Sequence, residues 1–165
     1  MKARPARRYR TSRGSPQCDR GHAFAAAVET LTGAQRDLHV LVGRCLCEAY
    51  GDHAGTASWQ ATYLVPVGPR GVRVSTCAVG EHDALVELYT WLGDDIAVTP
   101  SVMRYLLEKN ACLRFGSLGI DADGAVLLAE SLFAEHVNAV ALARHIELLG
   151  ATADEVEREL GALYV

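Results

Sequence analysis

Residues Thr99 to Leu132 read TPSVMRYLLEKNACLRFGSLGIDADGAVLLAESL, and the fold is decided there. Thr99 can cap a helix, Pro100 suits its first position, and Val102, Met103, Leu106 and Leu107 recur at helical spacing. Asn110 follows the last apolar position, where an asparagine tolerates the left-handed backbone that ends a helix. The period then changes to two through Leu113, Phe115 and Ser117, which predicts a strand. Asp121-Ala122-Asp123-Gly124 supplies turn chemistry ahead of Ala125 to Ala129, so the two runs are expected to pair as an antiparallel hairpin.

Toward the C-terminus, Leu142, Ile146, Leu149, Ala153, Val156, Leu160 and Leu163 are spaced four and three without interruption. That spacing predicts one long helix running straight through Gly150, with the glycine on its outer side, although Thr152 to Glu155 resembles the start of a second helix. Toward the N-terminus, Thr32-Gly33-Ala34-Gln35 has the form of a capping box, and Leu38, Leu41, Val42, Cys45, Leu46 and Ala49 form the apolar stripe of a helix that stops at Gly51. A short helical lead-in is expected from Phe24 to Leu31. Between the two helices, Trp59 to Val67, Val72 to Ala78 and Ala84 to Leu92 read as three strands broken by Gly68-Pro69-Arg70-Gly71 and Gly80-Glu81-His82-Asp83. The order α-β-β-β-α-β-β-α predicts a two-layer α+β domain, a five-stranded antiparallel sheet packed by helices.

Charge is unevenly placed. Residues 1–22 carry seven basic groups (Lys2, Arg4, Arg7, Arg8, Arg10, Arg13 and Arg20) against Asp19, a net of +6. The other 143 of the 165 residues hold 16 − 7 = 9 basic and 20 − 1 = 19 acidic groups, a net of −10. Residues 1–22 lack an apolar run and are expected to form a disordered basic arm, leaving 23–165 as one domain. The apolar run from Ala23 to Val28 is too short for a secretory signal, and no run reaches the roughly 18 residues of a membrane span, so the chain is expected in the cytoplasm. Five cysteines at irregular spacing argue for free thiols.

Leu107-Glu108-Lys109-Asn110, the run Arg114 to Gly124, and Ala153-Asp154-Glu155, in this element order, resemble the YbjN-domain family, which shares the fold of type III secretion chaperones. The resemblance implies a small, cytoplasmic, non-enzymatic, bacterial protein that acts as a regulator or peptide-binding chaperone and can form a homodimer. It implies no catalytic residue and no cofactor.

The residues were weighed independently for chemistry. Cys18 and His22 are too few ligands for zinc, and Cys45 and Cys47 point away from one another on a helix, so no metal is expected. A small enzyme would need Cys77 or Cys112 beside one of six scattered histidines. A regulator contacting DNA would use the basic arm, against repulsion from the acidic body, which argues against nucleic acid as a partner. Asp121 and Asp123 lack the further oxygen ligands of a calcium loop. Trp59 with Tyr63, and Tyr89 with Trp91, each share one face of a strand by alternation, and if the faces coincide they would form an aromatic platform for a segment of another protein.

Overall fold

A computed structural model of the protein describes residues 31–57, 61–93 and 96–162. The basic arm, the Phe24 lead-in up to residue 30, Trp59, Asp94, Asp95 and Leu163 lie outside the described residues. Helix α1 (Gly33–Tyr50) is followed by strands β1 (Gly55–Ala57), β2 (Thr62–Val65), β3 (Val72–Val79) and β4 (Asp83–Trp91). Helix α2 (Pro100–Asn110), strands β5 (Ser117–Ile120) and β6 (Val126–Phe133), and helix α3 (Ala139–Ala162) complete the described elements. The five expected strands are all present in the expected order, every pairing is antiparallel, and three-residue β1 adds a short edge. The sheet order is β1-β2-β3-β4-β6-β5, so the β5–β6 hairpin joins through its second strand.

The capping box forms as expected: the Thr32 hydroxyl accepts from the Gln35 amide, and the Gln35 carbonyl oxygen accepts from the Thr32 amide, each at 3.4 Å. Gln35 then uses its other end, donating to the Thr76 carbonyl at 2.7 Å, which ties the start of α1 to β3. Helix α3 is continuous over 24 residues, and its stripe Leu142, Ile146, Leu149, Ala153, Val156 and Leu160 is buried. Gly150 is not on the outside. It is buried, and a Cβ there would lie 2.7 Å from Val67 Cγ1, so the glycine lets the helix close on the chain leaving β2. Because the stripe is consumed by the chain's own sheet and α1, it is not available as a dimer seam.

Within the deciding stretch, Thr99 caps α2 by accepting from the Val102 amide at 3.2 Å, with Pro100 at the first position. Val102 and Leu106 are buried, but Met103 and Leu107 are exposed, since α2 sits at the edge of the helical layer and buries only a narrow face. Asn110 does not take the left-handed turn; it stays helical, and its amide clamps Leu118, donating to the carbonyl at 3.0 Å and accepting from the N–H at 2.7 Å. The following strand starts at Ser117 rather than Leu113, because Gly116 adopts a positive φ of 66° with Ala129 O 2.9 Å from where a Cβ would stand. Strand β2 starts at Thr62, after Ala61 at a φ of 46°; the expected start at Trp59 lies outside the described residues.

The three described helices lie on one face of the sheet. Register puts Tyr63, Val74 and Leu88 in one cross-strand row and Val65 beside Val72, and these residues, with Val86, Leu118, Val126, Leu128 and Leu132, face α1 and α3. Leu38, Val42 and Leu46 from α1 complete the core with the α3 stripe. Polar latches tie α2 to α3 within the helical layer: Lys109 reaches Glu155 at 3.1 Å and Glu159 at 2.9 Å, and Tyr105 donates to Glu159 at 2.5 Å. The hydrogen bond from Tyr105, then that from Lys109, holds the Glu159 carboxyl below the usual range.

Candidate functional site: the open face of the sheet

A strand exposes alternate residues to opposite sides, so the residues between the core positions form a second face on which no described helix packs. Its central row crosses five strands as Leu64, Arg73, Tyr89, Ala129 and Ser117. The next row is Trp91, Leu127 and Gly119, and on the other side come Ser75, Glu87 and Ser131 and then Cys77, Leu85 and Phe133. The last row, Val79 and Asp83, ends at the β3–β4 turn. Leu64, Val79 and Phe133 are exposed, Phe133 to 63%.

The aromatic end is rigidly built. Tyr89 and Trp91 meet edge to face with ring centroids 5.2 Å apart, and the Arg73 guanidinium lies 4.3 Å from the Trp91 ring centre. Trp91 Nε1 donates to Asp121 Oδ2 at 2.9 Å, fixing the indole edge. Asp121 Oδ1 accepts from the Asp123 and Ala125 amides at 3.0 and 2.8 Å, so the carboxylate shapes the β5–β6 turn as well. The Trp91 hydrogen bond, then those of the turn amides, lowers the Asp121 pKa. On the reverse side of the strand, Thr90 donates to the Gly71 carbonyl at 2.9 Å. Beside the rings stand Ala129, Ser117 and Gly119, which leave space over the plane of the sheet.

Of the four aromatic residues singled out from the sequence, Trp59 lies outside the described residues and the other three do not share a face. Tyr89 and Trp91 are on the open side and half-buried, whereas Tyr63 is on the covered side. Its ring stacks on His39 at 4.7 Å, its hydroxyl donates to the His39 carbonyl at 3.3 Å, and burial pushes its pKa up to about 12. Gly43 makes this possible, since a Cβ there would stand 2.5 Å from the Tyr63 hydroxyl. Sequence reasoning missed Arg73, whose signal was a lone cation inside a strand, and Leu127, taken only as a strand former. It also missed Asp121, read as a turn residue and acting as one, but bonded to the indole too.

Cys45, Cys77 and Cys112 lack the surroundings that activate a thiol for nucleophilic chemistry. Cys45 is buried, and desolvation raises its pKa. Burial and the neighbouring Glu87 carboxylate raise that of Cys77, and neither Cys77 nor Cys112 has a histidine among its described hydrogen-bond partners. Among the described residues no group of three or more His, Cys, Asp or Glu side chains could hold a metal ion, and no helix is long and apolar enough to cross a membrane.

Residues 36–163 match the family profile described as T3SS (YopN, CesT) and YbjN peptide-binding chaperone 1. The chain belongs to this family of T3SS and YbjN peptide-binding chaperones. A peptide-binding chaperone of this family is a non-enzymatic module whose partner is another protein or a peptide. Solved structures repeat the fold at low identity. The ExsC–ExsE complex is matched at 17% identity and a TM-score of 0.54 over 79% of this chain and 97% of that one. The Yersinia pestis type III secretion chaperone SycH, in complex with a fragment of YscM2, is matched at 17% identity and a TM-score of 0.53, covering 72% and 98%. The HopA1–SchA chaperone–effector complex follows at 13% and 0.51, covering 72% and 91%. No curated protein matches this chaperone in sequence.

Proposed function

We propose that this chaperone acts in the cytoplasm, by stoichiometric grip and without turnover, on a segment of another protein laid across the open face of its sheet at Tyr89 and Trp91. The observation that carries this reading is an aromatic and guanidinium row left bare by the three described helices. Aromatic rings bury 150–250 Å² each, roughly, and supply most of the contact energy in peptide sites. Glu87, Ser75 and Ser131 add polar contacts one row away, and Arg73 can donate to a carboxylate without giving up its place over the indole. The raised thiol pKa of Cys77, on the same face, supports a surface that holds rather than reacts.

A displayed peptide library selected on the full chain tests the reading. The selected peptides should lose about tenfold or more in affinity, some 1.4 kcal/mol, on Tyr89→Ala or Trp91→Ala, and nothing on Tyr63→Phe. Retained affinity in both alanine variants would remove the open face from the site.

The far edge supports a second assembly role. Among the described residues strand β5 is unpaired on its outer side, and Met103, Leu107 and Ile120 are exposed on β5 and the helix beside it, Leu107 to 72%. A second copy pairing along this edge would give a homodimer. Light scattering should then show a dimer that Leu107→Glu converts to a monomer, whereas monomer mass at all concentrations would dismiss it.

A further inference from the structure

The open face is not uniform in charge. Its aromatic end carries Arg73, but its other end holds Asp83, with Glu81 in the adjoining turn, Glu87 two rows away and Glu135 in the single helical turn that follows β6. Among the described residues no lysine or arginine pairs with Glu81, Asp83 or Glu135; the ion pairs Arg70–Glu157, Arg104–Glu108 and Lys109–Glu155 all lie on the helix side. Hydrophobic side chains stand among these acids, Val79 and Phe133 both exposed. The chain enters the fold at the same end: Thr32 caps α1, and Gln35, one turn later, is bonded to Thr76, three residues before the end of β3.

Outside the described residues, before this entry point, lies the segment 1–22 with its net charge of +6. The eight residues 23–30 that connect it can span up to about 28 Å. Strand β4, nine residues long, measures about 30 Å, so the connection reaches along nearly the whole open face if extended, and as the expected helix of about 12 Å it still brings the arm to the nearer, acidic end. A tethered segment acts at an effective concentration of order millimolar, enough for modest electrostatic contacts to hold it.

We infer that the basic arm, residues 1–22, docks on its own open sheet face with its arginines over Glu81, Asp83 and Glu135, and runs on toward Tyr89, where it competes with the partner segment. The inference rests on the open-face reading and adds its regulation: the arm is an internal competitor that partners must displace. Arm arginines neutralise the unpaired carboxylates, and its aliphatic stems and Tyr9 cover Val79 and Phe133. Partners that are themselves basic, or conditions of high salt, dislodge it most readily.

The sequence provides a direct probe, because Lys2 and Lys109 are its only lysines. Zero-length carbodiimide cross-linking of the full chain joins a lysine amine to a carboxylate in contact with it, and peptide mass mapping reads the pairs. Lys109 should join Glu155 or Glu159, an internal control for the fold. Lys2 should join Glu81, Asp83 or Glu135 within one chain, and this product should fade in about 1 M salt, where the Debye length is near 3 Å. The triple variant E81Q/D83N/E135Q should abolish it while the Lys109 link persists. Lys2 links found only at acids on the helices, only between two chains, or not at all would overturn the inference, whether or not library peptides bind. The library-selected peptides should bind R7Q/R8Q/R10Q about tenfold more tightly than wild type at low salt. Equal affinity, with the Lys2 links present, would overturn the competition.

Discussion

Tyr63 and Tyr89 sit on strands two apart in the same sheet, and the sheet gives them opposite lives. On the covered face Tyr63 is stacked on His39, bonded to a helix carbonyl and admitted by a glycine, so its surroundings leave it nothing to bind. On the open face Tyr89 touches Trp91 and its row neighbours Arg73 and Ala129, with no described helix above it. One side of the sheet spends its apolar surface on folding, and in the proposed function the other keeps it for a partner. Substitutions on the two sides should separate cleanly into those that unfold the protein and those that disarm it.

The largest expected effect is on the covered side. Leu88 and Ile146 are fully buried between β4 and α3, and truncating either to alanine should cost about 2–5 kcal/mol in chemical denaturation. Gly43→Ala comes next. Helix propensity favours the change by about 1 kcal/mol, but the Tyr63 ring cannot retreat from its stack, and overpacking of this kind costs about 1–3 kcal/mol, so a net loss is expected in the same measurement. Tyr89→Ala, by contrast, should change stability by no more than about 1 kcal/mol, the scale of a cross-strand pair, while removing peptide binding. Equal stability losses for Tyr89→Ala and Leu88→Ala would show that the open face is structural after all.

A smaller effect sharpens the same comparison through pH. The Asp121 carboxyl has a pKa depressed in the folded chain, chiefly by the Trp91 hydrogen bond, so its contribution is present above the unfolded carboxylate value near 3.9 and is lost as pH falls through the lower folded value. Acidification below about pH 4 should release the indole edge and shift Trp fluorescence ahead of global unfolding. Asp121→Asn should remove that step, and an unchanged acid transition in this variant would separate Trp91 from the turn.

Local signals carried most of the architecture. Thr99 with Pro100, the Thr32–Gln35 box and the unbroken α3 stripe each declare themselves within a few residues, and each element formed where they said. What the chain hid were contacts between distant segments. Asn110 reads as a helix stop but serves as a clamp on a strand eight residues on, and Gly150 reads as an external tolerance but is required by Val67. The aromatic platform was half legible for the same reason. Alternation within a strand pairs Tyr89 with Trp91, but only register shows that Tyr63 lies opposite Val74 and so in line with Leu88, one position away from Tyr89. A shift of one residue in parity decides which tyrosine is free.

The most direct test of that division places a photo-reactive benzoylphenylalanine at position 89 in one full-length chain and at position 63 in another, and illuminates each with a library-selected peptide. The account predicts a covalent peptide adduct from position 89 and none from position 63, with Trp91→Ala suppressing the adduct. Adducts from position 63, or none from position 89 under conditions where the peptide is bound, would contradict it.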